Sequence, residues 1–286
     1  MSALTGTVVT GKLTDCWIQA IRALLTPGVS AISGLLAVTT EFDDEGLPVE
    51  DPESRSLIDT FLKEKFEGQG IETVASTLFP HSFWQPGVPR KQLFRRYQNL
   101  LARLKKHRGN RRGMYFERMI AFDPNAPYEG NQLEFILDSY AKGLRRSSAF
   151  QIVLTDPRRD MLGTPRLGFP CLQQIAVNPS EPDGTLGLVG FYPTQYLVER
   201  GYGNYLGLAR LGRFLASELR LRLNTVACVT ARALLGLPKT DLGRLMKYIE
   251  AVEARPGGEG NEITSAGRGP MVEHVPLRRT TEKVVR

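Results

Sequence analysis

Between residues 150 and 230 the chain passes from short β-prone runs to one long helical pattern and back, and this alternation limits the fold most. The runs at 150–155, 173–177 and 186–191 have strand length and composition. A long helix is expected over 205–220, with Leu208, Leu211, Leu215 and Leu219 on one face and Arg210, Arg213, Glu218 and Arg220 opposite. A short strand at 224–230 and a helix at 240–253 follow. Strands interleaved with amphipathic helices point to an α/β protein with a mixed sheet covered by helices.

Upstream, residues 14–26 have helical spacing through Trp17, Ile18, Ile21, Leu24 and Leu25, with Thr14 or Asp15 as the N-cap. A strand is expected at 30–39, an acidic loop at 41–54, a helix at 56–67, a strand or turn at 71–78, and a helix at 131–144. With 286 residues and 42% hydrophobic side chains, the chain can bury one large core, so a single domain is expected over 1–254. From Arg255 the sequence turns glycine-rich and polar, and 255–286 reads as a flexible tail.

Cys16, Cys171 and Cys228 are too scattered for a disulfide framework, and no Cys/His cluster suggests a metal. No apolar run approaches the roughly 20 residues that span a bilayer. The first residues lack the basic start and apolar stretch of a signal peptide, so a cytoplasmic protein without membrane contact is expected.

The formal charge is +7, from 37 Lys and Arg against 30 Asp and Glu. Much of the excess lies in one acid-free segment containing Arg90, Lys91, Arg95, Arg96, Arg103, Lys105, Lys106, Arg108, Arg111 and Arg112. Leu93, Tyr97, Leu100, Leu101 and Leu104 recur there at helical spacing. The segment reads as an amphipathic helix with a solvated basic face, or as a surface for nucleic acid. The regular apolar stripe favours the first reading, so nucleic acid is not the expected partner.

The most suggestive local chemistry is Pro170-Cys171, a cysteine that enters a strand behind a proline. A thiolate nucleophile needs a lowered pKa and a rigid mounting, and proline fixes the approach. Taken alone, Cys171 reads first as a small core residue and only second as a nucleophile. Cys16 and Cys228 read as core.

With its flanks, this stretch resembles the thymidylate synthase family, including the related pyrimidine hydroxymethylases. Pro170-Cys171 is followed by the turn Asp183-Gly184, by Phe191-Tyr192, and by Tyr202-Gly203-Asn204-Tyr205 opening the long helix. Asn204 falls 33 residues after Cys171 (204 − 171). Upstream, Gly113-Met114-Tyr115-Phe116, Asn131-Gln132 and Arg145-Arg146 are similar to family segments in the same order. The resemblance covers roughly 110–235. It departs at Leu172, where the family has histidine, at Tyr192-Pro193-Thr194, where the phosphate-binding arginine is missing, and at Arg232-Ala233-Leu234, where the sugar-binding His-x-Tyr is missing.

The resemblance implies a homodimeric transferase that places a methyl or hydroxymethyl group on C5 of a pyrimidine nucleotide, with 5,10-methylenetetrahydrofolate as the one-carbon cofactor. Cys171 would be the nucleophile and Asn204 would read the base. Arg145 and Arg146 would hold phosphate across the dimer, and Tyr115 and Gln173 would line the substrate site. Arg145 and Arg146 also suit a helix C-terminus, and Tyr115 also suits a core. Trp84 is a candidate stacking wall for base or pterin, or a core residue. Asp156 and Asp160 read as turn residues and Glu134 as a solvated one. The missing sugar and phosphate elements imply a substrate other than ordinary dUMP, or an inactive nucleotide- or partner-binding protein on the same scaffold.

Overall fold

A computed structural model describes residues 2–107, 110, 113–161, 163 and 170–255. The tail expected at 255–286 lies, beyond Arg255, outside the described residues, as do Arg108, Arg111 and Arg112. Nine helices and seven strands are formed among the described residues.

Two short strands, β1 (Ser2–Thr5) and β2 (Val8–Gly11), lead into α1 (Leu13–Leu25) and the long strand β3 (Val29–Thr39). Then come α2 (Pro52–Lys65), α3 (Ile71–Leu78), the basic helix α4 (Arg90–Leu104), α5 (Tyr115–Ile120) and α6 (Gln132–Ala141). The second half holds β4 (Gln151–Val153), the single-turn α7 (Pro157–Asp160), β5 (Gln174–Ser180) and β6 (Thr185–Tyr196). A π-helical turn (Leu197–Gly201) opens α8 (Tyr202–Leu219), followed by β7 (Arg222–Leu234) and α9 (Lys239–Glu253).

Local chemistry sets the helix ends. Asp51 accepts a hydrogen bond from the Ser54 N–H at 2.7 Å, with Pro52 as the first residue of α2. Asn131 caps α6 through the Glu134 N–H at 2.9 Å. Helix α8 stops at Arg220, which turns left-handed at φ 57°.

The strands form one mixed sheet in the order β1-β3-β7-β6-β5-β4, with β2 also on β3. Strands β6 and β7 run parallel, joined by α8, while β3–β7, β4–β5 and β5–β6 are antiparallel. The core runs between the sheet and the helices, with Trp17, Phe79, Phe116, Phe214 and Tyr192 fully buried.

The expected mixed sheet packed with helices is present, and the helices lie on one of its faces. Leu188, Gly190 and Tyr192 face α8, and Gly190 has no room for a side chain because an added Cβ would lie 2.9 Å from Leu208. On the other face Val189 pairs with Ala227, Phe191 with Val229, and Leu36 with Val229. No described helix covers this apolar stripe, where Val189 and Phe191 are 39% and 38% exposed.

Residues 71–78, expected as strand or turn, form helix α3. Its β-branched residues Ile71, Thr73, Val74 and Thr77 suit a strand, but packing outweighs propensity. Ile71, Val74, Ala75 and Leu78 face α8 where Gly203 and Gly207 leave room. A Cβ on Gly203 would fall 2.4 Å from that of Val74, and one on Gly207 2.8 Å from that of Leu78.

Candidate active site

Cys171 stands just before β5, beside the end of β6. Its strand is locked on both sides: the Gln173 N–H donates to the Phe191 carbonyl at 3.0 Å, and the Leu154 N–H donates to the Gln173 carbonyl at 2.8 Å. Leu172, the residue after the cysteine, is fully buried in the core. The side chains alternate there, so burying Leu172 turns Cys171 outward, and its thiol is exposed.

Tyr115, the first residue of α5, reaches this backbone. Its hydroxyl oxygen accepts the N–H groups of Cys171 at 3.1 Å and Leu172 at 3.3 Å. With those donors on its oxygen, the phenol proton is available to the Cys171 sulfur, and this hydrogen bond lowers the thiol pKa. Burial raises the phenol's own pKa, so Tyr115 stays protonated. It therefore takes part in the site and is not only a core aromatic.

The thiol's surroundings pull in two directions. Desolvation by neighbouring protein is the largest influence and leaves the Cys171 pKa above its ordinary value. The Arg200 guanidinium and the Tyr115 hydroxyl oppose it, while the Glu199 carboxylate adds to it. Arg200 and Glu199, in the turn before α8, pair with each other at 2.6 Å. Burial pushes the Cys16 and Cys228 thiols up to about 12, so Cys171 is the only exposed cysteine.

Asn204 lies in the first turn of α8 and is 5% exposed. Its side-chain amide makes no hydrogen bond among the described residues. The Tyr192 hydroxyl is buried without a partner among the described residues, within electrostatic reach of Tyr115 and Cys171. Below it, the Thr230 hydroxyl donates to Gln195 Oε1 at 3.1 Å. The buried Tyr192 phenol thus keeps unused hydrogen-bonding capacity near the Cys171 thiol.

A buried ion pair ties α5 to α7. Arg118 of α5, 2% exposed, meets Asp160 of α7 with Nη2 to Oδ1 at 2.7 Å and also donates to the Leu154 carbonyl at 2.6 Å. Burial works to raise the Asp160 pKa, but Arg118 and the Asp156 N–H outweigh it and hold the carboxyl below its usual range. Asp156 caps α7 through the Arg158 N–H at 3.0 Å, as a turn residue should.

The other sequence-derived residues lie elsewhere. The half-buried Gln173 anchors the strand through its backbone. Arg145 pairs with Glu181 at 2.8 Å, stacks 4.1 Å from the Tyr140 ring centroid, and donates to the Tyr140 and Leu144 carbonyls at the end of α6. This is its helix-terminus role. Glu181 follows the last residue of β5, a seven-residue strand about 23 Å long. Arg145 therefore lies at the opposite end of β5 from Cys171, and only a partner chain could bring such an arginine to the thiol. Arg146 is exposed.

Trp84 is 97% buried, judged from its 3% exposure, and packs on Phe79 and Phe214. Phe214 is ten residues beyond Asn204 on α8 (214 − 204), about 15 Å along the helix. Trp84 thus belongs to the core. Glu134, expected as a solvated residue, binds Arg90 through both oxygens at 2.8 and 2.9 Å.

Sequence reasoning missed Arg200, Glu199 and Tyr192. Arg200 lies four residues before Asn204 in the strand-to-helix connection, a position from which a side chain can reach the end of β6. Two clefts of about 730 and 710 Å³ open elsewhere, one beside Asp44, Trp84 and Arg213 and one beside Phe135, Val153 and Arg158. Among the described residues no group of acidic, His or Cys side chains could hold a metal ion, and no helix is long and apolar enough to cross a membrane. No known family model matches the chain, and no curated protein matches it.

Proposed function

We propose that the chain is a thymidylate-synthase-like transferase that uses Cys171 to modify C5 of a pyrimidine nucleotide. The observation that carries the reading is the contact of the Tyr115 hydroxyl with the backbone on both sides of the Cys171 carbonyl group's neighbour, the Cys171 and Leu172 N–H groups. That contact holds the backbone that carries the thiol, within electrostatic reach of Arg200.

In the proposed reaction the Cys171 thiolate forms a bond to C6 of the ring, and the C5–C6 π electrons move toward the substituent at C4. C5 becomes a carbon nucleophile. Asn204, with its unspent amide, hydrogen-bonds the base edge where charge develops. Tyr115 steadies the thiolate before attack and again when it leaves. Once C5 has bonded to the incoming carbon, its proton departs to solvent and the bond from that carbon to its donor breaks, the electron pair leaving with the donor. Water would then add to the exocyclic methylene so formed, giving up a proton as the thiolate is expelled, which restores the ring double bond and leaves a hydroxymethyl group.

5,10-Methylenetetrahydrofolate is the one-carbon donor that the resemblance implies. Trp84, the aromatic expected to stack on its pterin, is closed into the core, so no described residue is assigned to hold the donor. The proposal is therefore confined to the base. The departures at Leu172, Pro193 and Arg232 favour a ribonucleotide or cytidine derivative over dUMP. The uncovered apolar stripe around Phe191 and Val189 supports a back-to-back homodimer, which would also bring a partner's Arg145 and Arg146 toward the site.

The test is tritium release from C5-tritiated uridine and cytidine nucleotides with the folate donor present. Release by the native chain and none by Cys171→Ala supports the reading; equal release by both refutes it. The net rise in the Cys171 pKa favours a second reading, a nucleotide-binding protein without catalysis. That reading requires reversible nucleotide binding, unchanged in Cys171→Ala, and no tritium release.

A further inference from the structure

The proposed chemistry leaves the basic helix α4 without a role. Its two edge cations are satisfied: Arg90 pairs with Glu134 and Glu218 at 2.8 and 3.0 Å, and Lys105 pairs with Glu117 at 2.5 Å. Lys91, Arg95, Arg96, Arg103 and Lys106 are exposed and take no ion pair among the described residues. At 100° per residue, Lys91 and Arg95 lie about 40° apart on α4, with Arg103 and Arg96 alongside, and Lys106 follows in the turn beyond its end. The helix itself is about 22 Å long. Exposed Gln92, Gln98 and Asn99 lie between the cations, and no acidic residue interrupts them.

We propose that this face of α4 binds the phosphate backbone of double-stranded nucleic acid without reading its sequence. Charge and geometry select that partner. Five exposed cations outside any ion pair among the described residues, one of them also touching the Phe83 carbonyl, and three amide side chains along α4 and its end suit a regular array of phosphates. Single strands are usually gripped by stacking their bases on exposed aromatics, but Phe94 and Tyr97 of α4 are buried. A membrane-surface helix needs its apolar side free to enter the lipid, and here Leu93, Phe94 and Tyr97 are packed in the core. This surface is separate from Cys171 and stands whether or not the chain is a transferase.

The test is fluorescence anisotropy of the full chain with labelled DNA and RNA duplexes of roughly 20 base pairs, titrated between about 50 and 200 mM salt. Five phosphate contacts predict a log–log salt slope of about −4.5 on a DNA duplex, a loss of about 500-fold across that range. The variant K91E/R95E/K106E should bind at least about tenfold more weakly, with the slope reduced to about −2. K91Q/R95Q/K106Q should fall between, and the thermal melts of both variants should match the native chain. No binding at the lower salt overturns the proposal. So does binding that ignores both variants, tighter binding to single strands, or variant-sensitive binding to phosphatidylserine vesicles without binding to duplex.

Discussion

Replacing Tyr115 with phenylalanine removes one oxygen and keeps the ring. That oxygen lies 3.1 Å from the Cys171 nitrogen and 3.3 Å from the Leu172 nitrogen, so its proton serves the sulfur. A hydrogen bond to a charged group contributes about 1.5–3 kcal/mol, and the exposure of Cys171 places this one at the low end. Tyr115 favours the charged form, so its loss disfavours the thiolate. About 1.5 kcal/mol corresponds to a roughly tenfold smaller thiolate fraction at neutral pH. A more basic thiolate is intrinsically more nucleophilic, by roughly threefold for that change. Alkylation by iodoacetamide should therefore be about threefold slower in Tyr115→Phe at neutral pH and about threefold faster at the alkaline plateau. Mass spectrometry can follow the label on Cys171, because burial shields Cys16 and Cys228. Equal or faster labelling at neutral pH, with an unchanged melt, would refute the assigned hydrogen bond.

Asp160→Asn should destabilise the fold by about 3–5 kcal/mol, read by thermal melting, because Arg118 is 2% exposed and loses its carboxylate. Asp160 is held below its usual range, so its contribution to stability is full above pH ~4 and is lost as pH falls through its folded value. Acid titration of the variant should lack that part of the decline; an unchanged acid limb would contradict it. Gly207→Ala should cost about 1–2 kcal/mol despite alanine's helix preference, since the new methyl would lie 2.8 Å from the Leu78 Cβ and 2.9 Å from the Ala75 carbonyl. A higher melting temperature would contradict the close approach of α3 and α8. If the proposed back-to-back homodimer forms, Phe191→Asp should convert it to monomers in sedimentation without lowering the monomer's melting temperature; a native chain that is monomeric, or a dimer that persists in the variant, would contradict an interface on the open sheet face.

The legible parts of the fold were those whose residue spacing already matched their final surroundings. Helix α8 shows its leucine face at helical period, and β5 and β6 carry the alternation of a sheet with one buried face. Helix α3 was not legible, because four of its eight residues are β-branched and its helical form depends on Gly203 and Gly207, more than 120 residues later. The short strands β1 and β2 exist as strands only through β3.

At the candidate site, family resemblance drew attention to Cys171, Asn204 and Tyr115. It could not reveal that the Tyr115 oxygen would meet two backbone N–H groups, because no local pattern encodes a contact 56 residues apart. Leu172 looked like a lost functional residue, but its burial is what turns the thiol outward. Trp84 could equally have served as a wall or as core; its neighbours Phe79 and Phe214 decide for core. Between residues 90 and 112 the sequence shows ten cations, and among the described ones only the fold distinguishes those paired with Glu134, Glu218 and Glu117 from those outside any ion pair.

The most direct test of the central claim is intact-protein mass spectrometry after incubation with 5-fluorinated uridine and cytidine nucleotides, with and without methylenetetrahydrofolate. Fluorine at C5 cannot leave as a proton does, so an adduct on Cys171 should accumulate. The account predicts a mass gain of one nucleotide, or of nucleotide plus folate, mapped to Cys171 and absent in Cys171→Ala. No covalent gain with any nucleotide, or one that survives in Cys171→Ala, would contradict it.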